Sequence, residues 1–206
     1  MNFLKIIFFV TTLIVSSFSS AYSAYQKINL PKGISLDIPK SFQFLSENKK
    51  IDLTAYANSI FDDGINLNVL SFAANHYDSN GKTDALVNLR FYPDNEFSQS
   101  LPRMLDESPD DLKSIEQMMK DELYSSSPFK IIKWNGVYIR NIAGLKAIVT
   151  DYRRLSHNGE SGRVRLMMFH NSKDSFHMTA SYDDKKNDSF MLESIIEKII
   201  KSLRVN

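Results

Sequence analysis

The chain has 206 residues, 43% hydrophobic and 24% charged, with 25 Lys plus Arg against 24 Asp plus Glu and no cysteine. That is ordinary globular composition, and the length suits one domain, since single domains run to about 200 residues. The near-neutral balance supplies no bulk field toward nucleic acid or an anionic membrane. The lack of cysteine excludes disulfides, thiol catalysis, Cys-ligated zinc and a lipid-bearing N-terminal cysteine.

Met1 to Lys5 carries one positive charge, Ile6 to Val15 is an apolar run, and Ser16, Ser17, Ser19, Ser20, Ala21, Ser23 and Ala24 are small. This is the three-part layout of a secretory signal peptide over residues 1–23, with cleavage expected after Ser23 or after Ala21. The alternative is an uncleaved anchor, but the apolar run is shorter than the roughly 20 residues that span a bilayer. No later stretch is apolar enough to cross a membrane. Residues 24–206 are therefore expected to form one exported domain, periplasmic or secreted, with no stable membrane anchor.

Ile34 to Pro39 alternates apolar and polar residues, a half-buried strand ended by proline, and Phe42 and Phe44 continue the alternation after a bend. Leu53 to Ile60 has the spacing of a short helix, and Asp62-Asp63-Gly64 is a turn. Val69 to Tyr77 and Ala85 to Tyr92 flank Asn80-Gly81, a strong hairpin signal. Pro93 to Pro102 reads as a polar connection. Ser108 then caps a helix with Pro109 at its first position and Asp110 and Asp111 in its first turn. Leu112, Ile115, Met118, Met119 and Leu123 form its stripe before Ser125-Ser126-Ser127-Pro128 ends it.

Phe129 to Trp134 and Val137 to Ile142 lie either side of Asn135-Gly136, which predicts a second hairpin. Three strands follow with tight turns: Leu145 to Leu155, Arg163 to Phe169 and Ser175 to Tyr182. A last helix begins at Asn187 or Asp188 and carries Leu192, Ile195, Ile196, Ile199, Ile200 and Leu203 on one side. The fold class is α+β, an antiparallel sheet flanked by helices.

A turn centred between Ser172 and Lys173 sets Phe169 opposite Phe176, Met167 opposite Met178, Arg165 opposite Ala180 and Arg163 opposite Tyr182. Ala147 and Val149 join that apolar face. The opposite face is mixed, and the helix on Leu112 and the C-terminal helix are the candidates to cover one face each. With the preceding turn centred on Gly159, Arg153 faces Arg165.

Arg153, Arg154, Arg163 and Arg165 thus form the strongest candidate site, a patch for an anion or an acidic partner, because guanidinium groups hold carboxylates and phosphates by paired bonds. The competing interpretation is a solvated hairpin end balanced by Asp151, Glu160, Asp183 and Asp184. His170 and His177 sit on neighbouring arms near Met168, but their spacing matches no ligand motif, so no metal is expected. No nucleophile elbow, phosphate loop or dinucleotide fingerprint occurs, so neither catalytic residues nor a cofactor are assigned. Trp134 is either a recognition aromatic or a core residue. Asn187-Asp188-Ser189 is a glycosylation sequon where the host glycosylates.

Ile142-Ala143-Gly144-Leu145-Lys146-Ala147 entering a strand, Trp134-Asn135-Gly136 after a helix, the strand ending at Pro39 and the closing Lys201-Ser202-Leu203 together resemble the PsbP-like superfamily, including periplasmic proteins of the DcrB type. The resemblance implies a curved antiparallel sheet with helices on both sides and accessory work in the envelope, such as binding or assembly. It brings no shared catalytic residues. The expected role is non-enzymatic binding of another envelope protein or a small ligand, with the oligomeric state open. The alternative is a small exported hydrolase-type enzyme whose site is assembled from distant residues.

Overall fold

The computed structural model describes residues 24–60, 70–92, 96–106, 109–126, 129–155 and 159–205; the leader, the Asp62-Asp63-Gly64 turn and Ser108 lie outside the described residues. In chain order the strands and helices are β1 (Tyr25–Asn29), β2 (Ile34–Pro39), β3 (Gln43–Phe44), α1 (Glu47–Ile60), β4 (Phe72–Tyr77), β5 (Thr83–Phe91) and α2 (Glu96–Met104). They continue with α3 (Pro109–Ser126), β6 (Lys130–Ile142), β7 (Leu145–Leu155), β8 (Ser161–His170), β9 (Ser175–Asp183), α4 (Ser189–Lys201) and β10 (Arg204–Val205). Seven strands form an antiparallel sheet in the order β3-β4-β5-β9-β8-β7-β6, and β1-β2-β10 form a second, smaller one.

Side-chain alternation along β7, β8 and β9 sorts residues to two faces. On one, Ala147, Val149, Met167, Phe169, Phe176 and Met178 are buried in a core shared with Ile34, Leu36 and Ile38 of β2 and Leu192, Ile195, Ile196, Ile199 and Ile200 of α4. The other face packs Ile148 and Met168 against Leu101 and Leu105 and against Ile115 of α3. The two amphipathic helices therefore cover one face each, as their stripes predict.

The β8–β9 pairing is the expected one, with Phe169 opposite Phe176, Met167 opposite Met178, Arg165 opposite Ala180 and Arg163 opposite Tyr182. The β7–β8 pairing differs. Arg153 stands opposite Arg163 and Asp151 opposite Arg165, because Leu155 pairs with Ser161 and the turn is centred one residue earlier than Gly159. A one-residue move of the centre shifts partners by two, so every side chain keeps its face.

Two further expectations are corrected, and two short strands were not foreseen. Asn135-Gly136 is not a turn: β6 runs unbroken to Ile142 with irregularities between Ile131 and Lys133 and between Trp134 and Gly136. The glycine takes φ +124° within a bulge, which uses the same conformational freedom that a turn would. The segment read as a polar connection contains α2, which continues through Pro102 because Leu101 and Leu105 are buried against the sheet; that burial offsets the amide the proline lacks. Finally, β1 and β10 pair with β2; two- to five-residue strands carry too little periodicity to be seen in sequence.

Candidate functional site

Adjacent residues of a strand point to opposite faces, and this divides the four arginines. Arg163 and Arg165 lie on the face that α4 covers. Arg163 grips Asp151 with two bonds, Nε to Oδ1 at 3.1 Å and Nη2 to Oδ2 at 2.7 Å, and donates from Nη1 to Glu193 at 2.7 Å. Arg165 donates to Glu193 at 3.1 Å and to Glu197, and Arg140 donates to Glu197 at 3.1 Å. Asn135, pushed out of register by the β6 bulge, donates to Asp151 Oδ1 at 2.7 Å. Three guanidinium groups and three carboxylates thus join the sheet to the polar side of α4.

Burial pushes the Asp151 carboxyl up, but the hydrogen bonds from Arg163 and Asn135 and the charges of Arg163 and Arg165 outweigh it and hold it below the ordinary range. Glu197 behaves alike: burial raises it, and Arg140 and Arg165 bring it lower. Arg163 is raised above the ordinary arginine value, chiefly by its bonds to Asp151.

Arg153 leaves that network and places Nε 2.6 Å from Asp184, which also accepts the Ser161 hydroxyl at 2.6 Å. Arg154, one residue on, projects from the other face, where its guanidinium lies 4.0 Å over the Phe129 ring. The four arginines are close in sequence and register but do not share one surface.

Trp134 donates its indole N–H to Glu116 of α3 at 2.6 Å and stacks on Tyr152 at 6.2 Å, so it packs between β6 and α3. His170 meets Ser175 Oγ at 3.1 Å. His177 stands opposite Met168. Among the described residues no group of three or more His, Asp or Glu side chains could hold a metal ion. His76 bonds Asp84 at 2.6 Å, and its ring lies 5.5 Å from that of Phe42.

His177 has a measurable consequence. Its Nδ1 is sealed from solvent without a hydrogen-bond partner, and burial, helped by the Arg90 charge, lowers its pKa from 6.5 to about 3. Between those values the unfolded chain binds a proton that the folded chain refuses. Stability is therefore full above pH 6.5 and falls as pH drops toward 3, by up to about 1.4 kcal/mol per pH unit. His177→Gln is expected to flatten this slope between pH 6.5 and 4.5 in urea titrations; equal slopes in the two proteins would refute the assignment.

The mixed face is not fully covered. Between α1 and the segment leading into β6 it opens into a cleft of about 370 Å³, within the range of small-molecule sites, roughly 300–1,000 Å³. Leu45, Leu53, Leu70 and Leu86 supply apolar wall, Asn88 and Ser181 polar floor, and Asp84, Arg154, Glu160 and Asp183 charge. Among the described residues no histidine lines it. Sequence alternation alone could have singled out Arg154, since Arg153 and Arg154 cannot face the same way in a strand.

No family model and no curated protein matches the sequence. Similar solved structures exist. The solution structure of cyanobacterial PsbP (CyanoP) from Synechocystis sp. PCC 6803 aligns with a TM-score of 0.52 at 10% identity, over 91% of this chain and 96% of that one. The crystal structure of LpqN, involved in cell envelope biogenesis of Mycobacterium tuberculosis, gives 0.47 at 12% identity, over 89% and 91%. A Bacteroides thetaiotaomicron protein gives 0.47 at 9% identity over 88% of this chain and 48% of that one, so the chain spans about half its length. At such identities the likeness speaks to architecture, and the CyanoP alignment covers nearly all of both chains: the protein has the PsbP-like α+β fold.

Proposed function

We propose that this protein works in the cell envelope, outside the cytoplasm, as a non-catalytic accessory protein that binds a small ligand or a segment of a partner in the cleft between α1 and β6. The observation that carries this is the cleft itself, an opening of about 370 Å³ on a sheet face that is otherwise packed against helices. Its groups suit binding better than catalysis. The Ser161 hydroxyl donates to Asp184, itself held by Arg153, and Asp84 is held by His76 and Lys186, so these groups are committed to contacts within the protein. Export is supported by the leader over residues 1–23. Among the described residues no helix is long and apolar enough to cross a membrane. On this reading Arg153, Arg163 and Arg165 serve the fold.

One experiment tests both halves. The protein is recovered from the envelope fraction with a photo-crosslinking amino acid at Leu86, and with the same group at exposed Lys198 of α4 as a control. Its N-terminus is expected at Ala24 or Tyr22, and the Leu86 probe is expected to yield a discrete adduct that the Lys198 probe does not. Retention of Met1 would contradict cleavage of the leader, and identical adduct patterns from both positions would contradict binding at the cleft.

A further inference from the structure

Two of the four charged side chains lining the cleft are neutralised within the protein. Asp84 lies 2.6 Å from His76 and 3.4 Å from Lys186, and Glu160 lies 2.8 Å from Lys82. The other two are not. Among the described residues neither Arg154 nor Asp183 has an oppositely charged partner; Arg154 lies over Phe129, and Asp183 accepts the backbone N–H of Lys185 at 3.0 Å.

They stand in one row across the sheet, with Gly162 between them, paired to Arg154 on one side and to Asp183 on the other. A glycine there leaves the row without a side chain at its centre, and a Cβ would come within 3.3 Å of the Tyr182 carbonyl oxygen and 3.6 Å of Ser181 Oγ. The Phe129 ring lies 4.0 Å from the guanidinium carbon but takes none of its hydrogen bonds, which leaves the N–H donors for a ligand. The burial that lowers the pKa of Arg154 also means that its charge is partly stripped of water without compensation by a protein carboxylate. A planar carboxylate is the group that best matches those donors, by two parallel bonds.

We propose that Arg154 is the recognition group of the cleft and that the ligand is a small organic monocarboxylate whose apolar body lies along Leu53, Leu70 and Leu86. Asp183, one glycine away, selects against dianionic heads such as phosphate monoesters, because a second negative charge would face a carboxylate. This deepens the proposed function and rests on the cleft being a binding site.

The test titrates protein purified from the envelope fraction by calorimetry with octanoate, octanol, octylamine and octyl phosphate. Octanoate is expected to bind tightest. Arg154→Gln should weaken it by about tenfold or more, the scale of a hydrogen bond to a charged group, and leave octanol unchanged. Arg154→Lys, which keeps the charge but loses the planar fork, should weaken it less. Arg153→Gln, on the opposite face, should have no effect. Asp183→Asn should improve octyl phosphate selectively. Preference for octylamine or octyl phosphate, or equal losses in the Arg153 and Arg154 variants, would overturn the assignment. Equal binding of octanol and octanoate, both blocked by Leu86→Trp, would overturn carboxylate recognition while leaving the cleft as a binding site. Binding by none of the probes, or binding indifferent to Leu86→Trp, would overturn both.

Discussion

Asp151→Ala is expected to destabilise the protein by about 3–5 kcal/mol, the usual cost of breaking a buried ion pair from one side. Asp151 is 2% exposed and receives both bonds of Arg163 and one from Asn135. Its removal leaves Arg163 and the 5%-exposed Arg165 facing each other's charge, with only Glu193 and Glu197 to balance them and Arg140. Much of the cost comes from uncompensated guanidinium groups rather than from a lost attraction. The double variant Asp151→Ala, Arg163→Met should therefore recover a large part of it. Urea denaturation of the two single variants and the double variant, compared as a cycle, measures that coupling. Strict additivity would show that the network does not act as a unit. The depressed carboxyls of Asp151 and Glu197 set the acid limit in the same region. Their contribution is present above the ordinary carboxylate pKa, near 4, and is lost as pH falls through the lowered values.

Phe169→Ala should cost a similar amount for a different reason. Phe169 and Phe176 are fully buried and stacked at 4.9 Å with an interplanar angle of 12°, and Phe91 packs on Phe176 at 5.9 Å. Truncation removes a large apolar side chain and opens a cavity in a core that the sheet and α4 share. About 3–5 kcal/mol is the typical loss for such a change, and Phe169→Leu should restore more than half. Thermal and chemical denaturation measure both. A loss under 1 kcal/mol for the alanine variant would mean that the stack is not the centre of the fold. The two predictions differ in pH response: the cost of Asp151→Ala should shrink as pH falls below about 4, where the carboxylate is protonated, while that of Phe169→Ala should not.

Much of the architecture is local chemistry made visible in the chain. Short turns between β7, β8 and β9 tie each strand to the next, so alternation and turn residues were enough to place Phe169 on Phe176 and to set two helices on two faces. A two-residue error in the β7–β8 pairing left those faces intact, because the side-chain period is two. It did change the partners of the arginines. The expected contact of Arg153 with Arg165 is replaced by Asp151 opposite Arg165, a difference that only the true turn centre decides.

What the sequence determined by itself is therefore what depends on near neighbours: the α+β composition, the apolar faces of the strands, and the stripes of α3 and α4. What only the tertiary structure decided depends on residues far apart in the chain. Glu193 and Glu197 come from α4 to meet arginines on β6 and β8. Phe129 comes under Arg154, and α1 leaves a gap over β4 and β5 that becomes the cleft. Asn135-Gly136 shows the same division. Its preference for positive φ is intrinsic, but whether that makes a turn or a bulge follows from β7 pairing along the whole of β6. Pairing energy over many residues outweighs the preference of two.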